Sequence, residues 1–199
     1  MKYPPLIQKL IEQFSKLPTV GPKTAERYVF YLIKQGSEVI DELIESLKEL
    51  KKSIVTCRTC QAISTSSPCP ICDNNRRDRS LLCIIADTRD MYAIEETGQY
   101  QGYYHVLNSN LNAIENTGLS KSNLESLLAK LRTDEIKEIL LALNPDISGN
   151  TTSLYLTKLL KPFNLKITRL AQGLPTGANI EYADEATIVN ALKFRNEIK

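Results

Sequence analysis

The chain has 199 residues, 42% of them hydrophobic and 24% charged, with a formal net charge of +2. That composition suits a globular protein with a real core and excludes a disordered or globally basic chain, so any nucleic-acid contact has to come from a local patch. No apolar run approaches the roughly 18 residues of a membrane span, and no secretory leader is visible, so a cytoplasmic setting with reduced thiols is expected.

In chain order, residues 5–15 place Leu6, Ile7, Leu10, Ile11 and Phe14 at helical spacing. A second helix is expected from Pro22, because proline suits the first helical position, to about Gln35, with Gly36 as its stop. A third, about 38–53, lines up Ile40, Leu43, Ile44, Leu47 and Leu50. The segment CRTCQAISTSSPCPICDNNRRDR is poor in aliphatics and reads as a small module of its own. From Leu81 apolar strands alternate with helices. Strands are expected at LLCIIA, YYHVL, EILLAL and KITRLA, with helices near 90–97, 121–131, 152–161 and 184–195. That alternation argues for a mainly parallel sheet covered on both faces. The fold class is therefore multidomain α+β, with a helical N-terminal part, a cysteine module and an α/β domain.

Cys57, Cys60, Cys69 and Cys72 form C-x2-C-x8-C-x2-C. Two facing knuckles of this kind close a tetrahedral sulfur site suited to a structural Zn2+, with no open position for catalysis. So small a module has little core, which makes the metal the main source of its folding energy. Cys83, inside an apolar strand, reads as a core residue, and His105 as a core histidine with its hydrogen bonds satisfied.

The stretch LPTVGPKTAER joins the first two helices by a short turn that runs into Lys23 and Arg27. Such a turn and the following helix N-terminus present backbone N–H groups and the positive end of the helix dipole, which favour a phosphate. Lys23 and Arg27 are four apart and share a helix face beside that turn. The site would grip DNA backbone rather than read bases. The alternative is a plain helical hairpin with solvated charges.

This order of parts, with LPTVGPKTAERYVFYL, the four cysteines before NNRRDR, MYAIEETGQYQGYYHVL and TRLAQGLPTGANIEYADEATI, resembles the bacterial recombination mediator family RecR over nearly the whole chain. The resemblance implies a helix-hairpin-helix DNA-binding domain over 1–53, a four-cysteine zinc finger over 54–79, a Toprim domain over 80–175 and a C-terminal segment over 176–199. It implies no established catalytic reaction. It implies a ring-forming oligomer, typically a tetramer, that encircles DNA and works with RecO, and in many bacteria RecF, to load RecA on single-stranded gaps. The family's DNA-contacting residues match Lys23 and Arg27, and its zinc ligands match Cys57, Cys60, Cys69 and Cys72.

The chain departs from the family pattern at two places. Thr19 stands where the hairpin turn usually has glycine, so it is expected to take a conformation open to a β-branched residue. Ala86, Ser148 and Asn150 stand where the Toprim edge usually carries acids, leaving Asp87, Asp90 and Asp146 nearby. Weak or absent Mg2+ binding is expected there. The competing function is a Toprim-type phosphoryl-transfer enzyme, and a third is an adaptor that binds only proteins. Arg76, Arg77 and Arg79 are either DNA contacts or a solvated run. Tyr100, Tyr103 and Tyr104 are either base-stacking surfaces or, as favoured here, packing residues. Gly173, Pro175 and Gly177 mark a turn of constrained geometry.

Overall fold

A computed structural model describes residues 3–109, 118–133 and 135–197. The chain forms two compact units, Met1–Ile54 and Val55–Lys199.

The first unit holds three helices. α1 (Pro5–Phe14) and α2 (Pro22–Gln35) face each other across Ile11, Ala25 and Val29, with Ile7, Phe14 and Val20 packed around them. Ala25 and Val29 are four apart, so they fall on one stripe of α2. Tyr3 and Phe30, and Phe14 and Tyr28, meet edge-on at 5.2 and 6.0 Å. Gly36 turns with φ +89°, a value suited to glycine, and opens α3 (Ser37–Ser53). α3 buries none of its residues within the described chain.

The turn between α1 and α2 corrects one expectation. Thr19 adopts φ +66°, in the left-handed region. It has taken the conformation that glycine supplies without strain, not one comfortable for a β-branched side chain.

The second unit is built on a four-stranded parallel sheet in the order β4-β3-β5-β6. The strands are β3 (Asp78–Ile85), β4 (Gly102–Val106), β5 (Glu138–Ala142) and β6 (Lys166–Arg169). β3 lies between β4 and β5, so the chain goes out to one side, crosses back and continues on the other. That reversal makes the sheet doubly wound and puts a switch point at the carboxyl ends of β3 and β5. The crossovers are α5 (Thr88–Glu96), α6 (Lys121–Thr133) and α7 (Ile147–Leu160). Alternation along β3 splits the core. Leu82 and Ile84 pack with Leu127, Leu131, Leu156 and Leu160 of α6 and α7. Cys83 and Ile85 pack with Met91, Tyr104 and Val106 on the other face.

The cysteine module completes that second face. A two-residue hairpin, β1 (Val55–Thr56) with β2 (Ile63–Ser64), and the short helix α4 (Pro70–Asp73) carry it. Cys57, Cys60, Ala62 and Cys69 belong to the same buried cluster as Cys83 and Tyr104, and the amide of Val106 donates to the Cys60 carbonyl at 2.8 Å. The module thus has a share in the sheet's core as well as a metal-sized centre of its own.

A buried polar knot reinforces the same face. Arg77 pairs with Glu95 and donates to the Gly102 carbonyl, while Tyr104 donates to Glu95 at 2.6 Å. The Arg77 guanidinium also lies 5.8 Å from the Tyr104 ring centroid. A buried pair of this kind tolerates loss of neither partner, because the survivor is left charged and desolvated.

α7 begins at Ile147, five residues before the expected start. Asp146 caps it, accepting from the Gly149 amide at 2.7 Å. Gly149 is required by contact: a Cβ there would lie 2.0 Å from the Asn144 carbonyl oxygen. The C-terminal stretch turns at Gly177, φ +84°, and ends in α8 (Glu185–Lys193), capped by Asp184 on the Thr187 amide.

Candidate nucleic-acid interface and metal centre

At the start of α2, Gly21 takes extended dihedrals and no side chain caps the helix. Pro22 has no N–H, so the amides of Lys23 and Thr24 are the donors of the first turn, as expected of an end that receives an anion. Nothing lies within 4 Å of the position a Gly21 Cβ would fill, so a ligand's phosphate can approach the backbone closely. Lys23 has an 86% exposed side chain and a loose pair with Glu26 at 3.7 Å. Glu26 in turn accepts from the Tyr3 hydroxyl at 2.7 Å. Arg27 is exposed one turn on, away from the buried stripe of Ala25 and Val29. Tyr31, 59% exposed, continues the same row at the next i+4 step, a residue that pattern reading passed over because it sits in an otherwise apolar run.

The four cysteines converge. All four Sγ atoms lie within 4.8 Å of one another, with Cys57, Cys60 and Cys69 fully buried. The Cys60 and Cys69 sulfurs are 3.6 Å apart, and the Cys69 amide donates to the Cys57 Sγ at 3.3 Å. Four thiolates at about 2.3 Å from a tetrahedral ion stand roughly 3.8 Å apart, so sulfurs within 4.8 Å of one another make a donor set of the right number, type and spacing for Zn2+. Hydrogen bonds from Cys60 and Cys72 push Cys69 down towards the thiolate, and the bond to Cys69 holds Cys60 up. A divalent cation would displace the remaining protons, because the thiolate is the ligand. Cys83 stays apart as a core residue, burial pushing its thiol up to about 12.

At the carboxyl edge of the sheet the remaining acids are committed elsewhere. Asp87 caps α5, accepting from the Arg89 amide at 2.8 Å and from its guanidinium at 3.0 and 3.2 Å. Those bonds hold its carboxyl below the ordinary range. Asp90 closes the capping box by accepting from the Asp87 amide at 3.0 Å, and Asp146 caps α7. Ala86 is buried. A 120 Å3 cavity beside this edge is lined by Asn144, Asn150, Ser153, Arg169 and Gln172 among others, with no carboxylate among the described lining residues. The residues present do not make a Mg2+ site.

The arginine run divides. Arg77 is a core residue, Arg76 is exposed, and Arg79 is exposed with a 3.2 Å bond to Asn75. Of the tyrosines, Tyr104 is fully buried and Tyr100 donates to the Tyr103 carbonyl at 3.1 Å, as packing residues do. His105 is also buried. Its Nε2 meets Asn123 Oδ1 at 2.7 Å, but Nδ1 has no partner, so its hydrogen bonding is half satisfied rather than complete.

A helical hairpin with an open, cationic second-helix start, joined in one chain to a four-thiol centre on a doubly wound sheet, defines a protein of the helix-hairpin-helix and Toprim class. Family models agree segment by segment: the RecR helix-hairpin-helix over residues 7–51, the Toprim domain over 80–171 and the RecR C-terminal region over 173–196. The chain is 44% identical to the recombination protein RecR of Bifidobacterium longum subsp. infantis over 197 residues, 99% of this chain and 98% of that protein. It is 39% identical to that of Staphylococcus aureus over 198 residues, the full length of both. The chain belongs to the RecR family of recombination proteins.

Proposed function

We propose that the protein is a recombination mediator that binds DNA through Lys23 and Arg27 and carries out no chemistry on it. The observation that carries this reading is the start of α2: two exposed cations one turn apart, beside uncapped amides and an open glycine. An anion there meets both the helix dipole and the side-chain charge. The commitment of Asp87, Asp90 and Asp146 to helix caps supports the non-catalytic part of the proposal against metal-assisted phosphoryl transfer.

In this reading residues 1–53 are the DNA-binding domain, 54–79 the zinc finger with a structural Zn2+ on Cys57, Cys60, Cys69 and Cys72, 80–175 the Toprim domain and 176–199 a C-terminal segment. The protein acts in the cytoplasm with RecO, and with RecF, helping RecA onto single-stranded gaps. It works as a ring, a homotetramer around DNA. The apolar side chains that α3 leaves exposed, Leu47 at 55% and Leu50 at 56%, support assembly of some kind. In a ring, several weak phosphate contacts act together through effective concentration.

The test is fluorescence anisotropy with single-stranded, duplex and gapped DNA across a salt series, comparing the chain with its Lys23→Ala/Arg27→Ala variant. The variant is expected to bind more weakly on every DNA. Its slope of log K against log salt should fall by about 1.4 to 1.8 per subunit in contact, two phosphate contacts at roughly 0.7 to 0.9 each. Unchanged affinity and slope would move the DNA site away from α2.

A further inference from the structure

The second unit carries a cavity that the hairpin reading does not use. It has a volume of 360 Å3 and lies where the cysteine module, β3, β4 and α6 meet, with Thr59 and Cys72 on the module side. That volume is in the range of sites that take one small organic ligand. Its wall has two characters. Leu81, Ile136 and the ring of Tyr103 give it an apolar, partly aromatic part. Arg79 and Lys130 give it charge, two cations against the single carboxylate of Glu135 among the described lining residues.

The two cations have donors to spare. Arg79 gives one N–H to Asn75 at 3.2 Å, and Lys130 gives one to the Tyr104 carbonyl at 3.3 Å. A guanidinium has five donors and an ammonium three. No ion pair among the described residues involves either side chain. The Lys130 bond holds its charge at the sheet, and the Tyr103 hydroxyl donates to the Asn74 carbonyl at 2.9 Å, which fixes its ring between β4 and the segment after α4. Tyr100 and Tyr103 are both half-buried, and of the three tyrosines it is Tyr103 that lines this cavity.

We propose that this cavity binds one nucleoside phosphate, with the base against Tyr103, Leu81 and Ile136 and the phosphate on Arg79 and Lys130. A planar, polarisable base suits an aromatic and aliphatic wall, and stacking of this kind tolerates any base. An anion suits the excess of cations, and Arg offers it a bidentate fork. The same chemistry comes from a free mononucleotide or from one unstacked nucleotide of a single strand. The free-nucleotide source is independent of the hairpin, whereas the strand source deepens the DNA-binding reading above.

The full-length Lys23→Ala/Arg27→Ala protein separates this site from the hairpin. Two probes are titrated by fluorescence: 2-aminopurine deoxynucleoside 5′-monophosphate, and a short oligothymidylate with 2-aminopurine at its centre. Saturable quenching by stacking is expected with at least one. Arg79→Gln and Lys130→Gln should each weaken that binding on the order of tenfold, as for a lost charge-assisted bond. Tyr103→Ala should weaken it as well and reduce the quenching, since it removes the ring on which the base stacks. Quenching by the monophosphate identifies a free-nucleotide site, and quenching by the oligonucleotide alone identifies a strand nucleotide. No saturable quenching with either probe overturns the proposal, however the variants fold. Binding that Arg79→Gln and Lys130→Gln leave intact overturns it too. Loss of the cavity with the hairpin effect intact, or the reverse, tells the failure of one reading from that of the other.

Discussion

Replacing Thr19 by glycine should stabilise the protein, and the reason lies wholly in one backbone angle. Thr19 sits at φ +66°. In that region Cβ crowds the backbone, at a cost of about 1–2 kcal/mol for an L-residue, with a β-branched side chain at the upper end. Thr19 is exposed and has no place in the buried cluster of α1 and α2, so removing its side chain sacrifices no burial. Against the relief stands the greater freedom of glycine in the unfolded chain, about 0.4–1 kcal/mol. The balance is a gain of about 0.5–1 kcal/mol. Urea unfolding followed by circular dichroism, with the slope checked for constancy, reads it as a rise in midpoint. Thr19→Ala separates the contributions: it keeps a Cβ but not the branch, so it should fall between the two. A glycine variant no more stable than the parent, with an alanine variant equal to it, would refute the argument from strain.

Three further outcomes follow from the second unit. Burial pushes His105 down to about 4, far below its unfolded value near 6.5, so the unfolded chain binds more protons between those values. Stability is therefore whole above about pH 6.5 and declines as pH falls towards 4, by up to about 3 kcal/mol from this group. Unfolding midpoints from pH 7 to 4 should show the decline, and a His105→Gln variant with the same slope would disprove its origin. Zinc measured on the purified protein should be stoichiometric with the chain, and chelation should lower the thermal midpoint as the buried face around Cys57, Cys60 and Cys69 loosens; metal-free protein of equal stability would count against a structural role. Isothermal titration with Mg2+ should give no tight binding, and tight, stoichiometric binding abolished by Asp87→Ala would contradict the cap assignment.

What the sequence revealed of this molecule followed the range of the signal. The four-cysteine centre was legible because two C-x2-C knuckles are local devices whose sulfurs need only face one another. Lys23 and Arg27 were legible as a shared face because four residues make about one helical turn. The parallel sheet followed from apolar runs separated by helical stretches, and the structure has its strands within one or two residues of those runs except at β3, which starts earlier in the polar Asp78–Ser80. The start of α7 was hidden because Gly149, Asn150, Thr151 and Thr152 are poor helix formers, and what commits them is the Asp146 cap and the close approach to Asn144, local contacts that apolar periodicity does not register. Arg77 read as either a DNA contact or one of a solvated run, and its role in the core was missed because nothing nearby announces Glu95, eighteen residues on. The strain at Thr19 was invisible for the opposite reason: the residue type argues against the conformation, and the turn imposes it.

The same distinction bears on the altered Toprim edge. Losing acids from a sheet edge does not by itself abolish metal binding, because neighbouring carboxylates can shift to serve. Here they are held where they are. Asp87 and Asp146 each accept the amide that their helix would otherwise leave unpaired, and Asp90 returns a bond to the Asp87 amide. Turning them towards a cation would uncap α5 or α7, at about 1 kcal/mol for each cap, before any metal was bound. The Arg89 guanidinium on Asp87 already supplies the positive charge a metal would bring. Around the neighbouring cavity the ligating groups are amides and a hydroxyl, weak partners for Mg2+, with Arg169 beside them. An edge arranged in this way favours contact with anionic or neutral polar groups over the two-carboxylate chemistry of phosphoryl transfer. That chemistry supports the mediator reading proposed above over its phosphoryl-transfer alternative.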